Sequence, residues 1–104
     1  MTRFSFSDLH SYKDYVVFAQ TYLPDRFPNR GGVSQEEQWS LERAFKGLRL
    51  GLEMARKEKG ELAVFAHCGQ LVEEAYVAYS SGDMRKGFFK LEEMQELLKR
   101  VPSL

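Results

Sequence analysis

The sequence predicts an all-α fold: a single-domain antiparallel four-helix bundle with one long loop between its first and second helices. Three observations carry this expectation. Apolar residues recur at three- and four-residue spacing in four segments, glycines or prolines stand between those segments, and no stretch alternates as a strand would. A chain of 104 residues holds one hydrophobic core, so residues 1–104 form one domain.

The first segment opens on the capping candidates Ser7 and Asp8 and continues with Leu9, Tyr12, Tyr15, Val16, Ala19 and Leu23 on one stripe. Val17, Phe18 and Tyr22 widen that stripe, as expected of a helix pressed between two neighbours. From Leu23 to Val33 the chain carries Pro24, Pro28 and the Gly31-Gly32 pair, which end the helix and make the long loop.

Ser34 to Glu37 match a capping box and predict the start of the second helix. Leu41, Ala44, Phe45, Leu48, Leu52 and Ala55 keep the helical period, with Glu36 and Glu37 at its head and Arg56, Lys57 and Lys59 at its end, in the sense that suits the helix dipole. Gly47, Gly51 and Ala55 repeat every four residues and leave a strip without bulky side chains. A helix-interior glycine costs about 1 kcal/mol against alanine, so the strip predicts a close neighbour, either within the chain or in a partner.

Gly60 stops that helix and Glu61 opens the third, which carries two apolar stripes. One runs through Leu62, Phe65, Ala66, Gly69, Val72, Tyr76 and Tyr79, the other through Val64, Cys68, Leu71, Ala75 and Ala78. Two stripes predict a central helix buried on two sides, leaving His67, Gln70 and Glu74 for water. After the turn Ser80-Ser81-Gly82, Asp83 is the N-cap of a fourth helix, with Met84, Phe88, Leu91, Met94, Leu98 and Val101 on its apolar stripe and Pro102 at its end. The stretch from Leu71 to Leu98, with Ala75, Tyr79, Gly82-Asp83, Gly87 and Leu91, resembles a single tetratricopeptide-type helical hairpin. The second copy that a repeat array requires is absent from the sequence, so the resemblance stops at the hairpin.

Composition narrows the chemistry. Fifteen Lys and Arg balance fifteen Asp and Glu, so nucleic acid is not expected as the main partner. The single cysteine, Cys68, cannot form an intrachain disulfide and is expected to be a packed core thiol, in keeping with a cytoplasmic setting. The most apolar stretch, Leu62 to Tyr79, contains His67, Gln70, Glu73 and Glu74, so no membrane span is expected. No Glu-x-x-His tetrad, Walker loop or dinucleotide fingerprint occurs, and neither a metal nor a cofactor is expected. His67 and Cys68 point about 100° apart on a helix and do not make a nucleophile–base pair. The paired acids Glu36-Glu37, Glu73-Glu74 and Glu92-Glu93 read as solvated ion-pairing faces.

The expectation is therefore a non-enzymatic module that binds another protein, as a stoichiometric neutralising partner of the immunity-protein or antitoxin kind, or as an adaptor. Two surfaces are candidates. His67, Gln70, Glu73 and Glu74 form a locally acidic strip suited to a basic protein, because no Lys or Arg lies between Gly60 and Ser81. Arg26, Phe27, Arg30 and Trp39 cluster around the long loop and include the residue types that anchor interfaces, although Phe27 would equally serve as a lid on the bundle. Three alternatives remain: a homodimeric bundle holding a small ligand, a small enzyme using Tyr12 or Tyr15 with His67, and nucleic-acid binding through the second helix's flank of Arg43, Lys46, Arg49, Arg56 and Lys57.

Overall fold

The helices begin and end where a side chain or a glycine satisfies their loose backbone groups. In the computed structural model, which describes residue 4, residues 6–27 and residues 38–102, the elements are α1 (Leu9–Tyr22), α2 (Leu41–Lys59), α3 (Ala63–Ser80) and α4 (Met84–Leu98). Among the described residues there is no strand. Asp8 caps α1, its carboxylate accepting from the Ser11 amide at 2.9 Å while the Ser11 hydroxyl accepts from the Asp8 amide at 3.2 Å. Asp83 caps α4 by accepting from the Lys86 amide at 3.1 Å. Gly60 at φ +93° ends α2, and Gly82 at φ +89° turns the chain between α3 and α4; both angles favour glycine.

Three boundaries differ from those the sequence predicts. The capping box at Ser34–Glu37 lies outside the described residues, and α2 begins instead at Leu41. Ser40 is its N-cap, extended at φ −154°, with a hydroxyl that accepts from the Arg43 amide at 3.1 Å. The third helix starts at Ala63 rather than Glu61: the chain bends at Glu61, where the Leu62 amide donates to the Gly60 carbonyl at 3.0 Å, and Leu62 is the extended N-cap. The fourth ends at Leu98; Val101 stays buried in the turn that follows.

Each helix packs against the next in the chain, and α4 closes the ring on α1. All four neighbouring pairs are antiparallel. Across α1–α2, the Tyr12 hydroxyl donates to the Leu48 carbonyl at 2.7 Å and the Tyr15 hydroxyl to the Ala44 carbonyl at 3.0 Å, while the Leu9 amide at the other end donates to Glu58. Across α2–α3, Arg49 meets Glu73 and Glu42 meets Tyr76; across α3–α4, Glu74 meets Lys90 and Tyr79 lies over Gly87. Across α4–α1, Gln20 reaches Phe88 and Glu92 while Lys13 reaches the Val101 carbonyl. This is the antiparallel four-helix bundle that the periodicity implies.

The glycine strip of α2 packs within the chain. A Cβ at Gly47 would stand 2.2 Å from the Tyr15 hydroxyl oxygen, and one at Gly51 would stand 2.0 Å from the Tyr12 ring, so these glycines are what let two tyrosines lie flat on α2. The core combines those rings with Phe45, Phe65, Leu48, Leu91, Met94 and Leu98, all essentially buried. One buried polar side chain, Gln20, is fully employed between α1 and α4. It donates to the Phe88 carbonyl and to Glu92, and accepts from Gln95.

Two expectations about burial are corrected. The solvent face of α3 is wider than His67, Gln70 and Glu74, since Ala66, Glu73 and Val77 are exposed as well. In a closed ring every helix has only two neighbours, so α3 is not a central element. Met84 and Phe88 follow the period of the α4 core stripe yet are 54% and 42% exposed.

Candidate functional site

Along the outer side of α3, Gln70, Glu74, Val77 and Ser81 are spaced i, i+4, i+7 and i+11 and form one row. Opposite them on α4 stand Lys86 and Lys90. Between the two helices runs an open groove of about 580 Å³, lined by this row together with Glu73, Ala78, Asp83, Lys86 and Lys90. Its floor is apolar, formed by Val77 and Ala78. Val77 is 65% exposed, the most exposed of the large apolar side chains among the described residues.

The groove's charges are already organised. Arg49 of α2 grips Glu73 through two hydrogen bonds of 2.8 and 2.9 Å and lies over the Tyr76 ring, whose hydroxyl donates to Glu42. Lys90 pairs with Glu74 at 3.1 Å, and the Gln70 amide donates to the other carboxylate oxygen. The Arg49 hydrogen bonds hold the Glu73 carboxyl below its usual range, and the Lys90 contact does the same for Glu74. A lowered folded pKa means that these carboxylates add stability above their unfolded value near 4.5, and that this contribution is lost as acid protonates them. Both are solvent-accessible, so the contribution is small.

The sequence-predicted strip is thus brought together in three of its four members. Gln70, Glu73 and Glu74 line the groove, whereas His67 lies one turn below it, 3.4 Å from Glu93 and beside a separate depression of about 370 Å³ bordered by Leu62, Val64, Leu97 and Arg100. Within the loop cluster the described rings pack on one another. Phe27 stacks on Trp39 at 5.5 Å and packs against Phe18, and Arg43 caps Trp39 and Phe4 at about 5 Å from each ring. Arg26 is exposed, and Arg30 lies outside the described residues.

The alternative sites do not assemble as envisaged. Tyr12 and Tyr15 are turned into α2, with burial raising both phenols above their ordinary range, while His67 is exposed on the diagonally placed α3. The basic flank of α2 is divided: Arg43 lies over aromatic rings, Arg49 holds Glu73, and Arg56 reaches the Phe65 carbonyl and Glu61, leaving Lys46 and Lys57 pointing outward. Among the described residues no group of three or more His, Cys, Asp or Glu is placed to hold a metal, and no helix is long and apolar enough to cross a membrane. No protein-family model, curated protein or solved structure matches the chain.

Sequence reasoning missed Val77, Lys86 and Lys90. Val77 belongs to neither apolar stripe of α3, and an apolar residue in register with Gln70 and Glu74 is the signal that would have found it. Cys68 is where the sequence places it, fully buried, and burial pushes its thiol up to about 11. The native thiol is therefore expected to react with an aromatic disulfide reagent at pH 8 at least about 100-fold more slowly than in denaturant. Equal rates in the two states would show that the core opens around α3.

Proposed function

We propose that the protein works by binding another protein rather than by catalysis, with the α3–α4 groove as its contact surface. The observation that carries this reading is the exposed Val77 at the centre of a groove whose charged rim is held in place by Arg49, Lys90 and Gln70. Exposed apolar surface ringed by fixed polar groups is the usual make-up of an interface core and rim. A stoichiometric neutralising or adaptor role suits such a surface, because it asks for complementarity and no reacting group.

The preference for a basic partner is reduced by the ion pairs. Arg49 and Lys90 already answer Glu73 and Glu74, so a partner meets a rim of both signs and gains mainly from covering Val77. The test is affinity capture from the native cells at low salt, read by native mass spectrometry, comparing the natural chain with Val77→Lys and with the control Leu50→Lys on α2. A stoichiometric partner retained by the natural chain and by Leu50→Lys, and weakened at least about tenfold by Val77→Lys, is the expected result. Equal retention by Val77→Lys removes the groove from the proposal, and recovery of this chain alone removes the heteromeric reading.

A further inference from the structure

A second exposed surface lies on α4, away from the groove floor. Arg85, Phe89, Glu92 and Glu96 are spaced i, i+4, i+7 and i+11, all exposed, and this is the spacing of a helix–helix seam. Phe88 stands beside Phe89, with ring centroids 5.6 Å apart, and the two are 42% and 53% exposed. Two large aromatic side chains on one turn of a helix exceed what scattered surface apolar residues explain. Exposed Met84 lies one turn before Phe88, whose carbonyl accepts from Gln20 of α1.

The charges along this face complement themselves when the helix is reversed. Arg85 precedes the midpoint of Phe88 and Phe89 by the same axial distance, about 5 Å, by which Glu92 follows it. The Arg85 guanidinium lies over the Phe89 ring at 5.7 Å, and no carboxylate among the described residues pairs with it. Gln20 binds one oxygen of Glu92, which leaves the other for a cation.

We propose that α4 packs antiparallel on the α4 of a second copy of this chain, about a twofold axis between Phe88 and Phe89, with each Arg85 paired to the partner's Glu92. Such an interface is isologous: one patch serves both copies, the phenylalanines fill its centre and two equivalent ion pairs flank them. One helix face with its borders is at the small end of specific interfaces, so the dimer forms in the micromolar range. The patch meets the groove at its rim, where Phe89 lies beside Lys86 and Lys90, but does not include Val77, so Phe89→Lys and Val77→Lys separate self-association from capture of a heterologous partner.

Sedimentation velocity of the purified chain from about 1 to about 100 µM tests the proposal, with circular dichroism confirming helix content in every variant. The natural chain is expected to pass from monomer to dimer over that range. Phe89→Lys is expected to remain monomeric. Arg85→Glu and Glu92→Arg are each expected to weaken the dimer at least about tenfold, and the double reversal to return it to within about threefold of the original. A natural chain that stays monomeric throughout overturns the dimer. Dimerisation unaffected by Phe89→Lys overturns its location, and a double reversal as weak as the single ones overturns the Arg85–Glu92 pairing.

Discussion

A methyl group added at Gly51 is expected to destabilise the protein by about 2–4 kcal/mol, although the same change on an open helix face stabilises by about 1 kcal/mol. The new Cβ would stand 2.0 Å from one ring carbon of Tyr12 and 2.1 Å from the next. Tyr12 is fully buried and cannot swing outward. Moving its ring breaks the 2.7 Å hydrogen bond to the Leu48 carbonyl and leaves a buried hydroxyl unpaired, which adds about 1–3 kcal/mol to the overpacking. The check is the denaturant midpoint of Gly51→Ala at unchanged slope, with Gly69→Ala as control. A Cβ at Gly69 meets Arg56 Nη2, a flexible side-chain end, at 3.4 Å and Leu52 Cδ1 at an ordinary 4.0 Å, so that variant is expected to be neutral or slightly stabilised. Stabilisation of both variants would mean that α1 does not approach α2 this closely.

Truncating Phe45 to alanine is expected to cost about 3–5 kcal/mol, a large part of the roughly 5–15 kcal/mol that holds a domain folded. Phe45 is fully buried on α2, and its ring meets Tyr76 of α3 edge-on at 5.2 Å and Tyr79 at 6.1 Å. Its removal leaves a cavity at the α2–α3 seam that the two tyrosines cannot fill. Tyr79 is itself held over Gly87, where an added Cβ would stand 2.6 Å from its ring. The melting temperature should fall by about 15–30 °C, whereas Leu50→Ala, at an exposed position of the same helix, should change stability by no more than about 0.5 kcal/mol. A Phe45→Ala variant that melts within a few degrees of the natural chain would move the core away from this seam.

The candidate site was only partly legible, and the reason is visible residue by residue. Gln70, Glu73 and Glu74 were found because polar side chains break the apolar stripes of α3, and that break is a property of neighbouring residues in one helix. Val77 was passed over because it is apolar, and only its register with Gln70 and Glu74, outside both apolar stripes, marks it as a residue aimed at water. The charge balance of the strip was also hidden. Arg49 and Lys90 lie 24 and 16 positions from the carboxylates they hold, on helices whose facing sides are set by packing. Phe27 and Trp39 could be read as anchors or as a lid, and the packing of Phe18 against both rings, with Arg43 over Trp39, is a contact that the sequence does not show.

The sequence by itself determined that the chain is helical, where its glycines end or turn it, and that Asp8 and Asp83 start helices. These outcomes depend on side-chain period and on hydrogen bonds spanning three or four residues. It also placed Cys68 in the core and identified Gly47 and Gly51 as a site of close approach. Which element makes that approach was decided only in three dimensions, where Tyr12 and Tyr15 cover the strip and donate to α2 carbonyls. The meeting of α3 with Lys86 and Lys90 belongs to the same class. Each depends on burial and pairing between segments tens of residues apart, and such contacts are settled by the free energy of the whole packed ring rather than by any one helix.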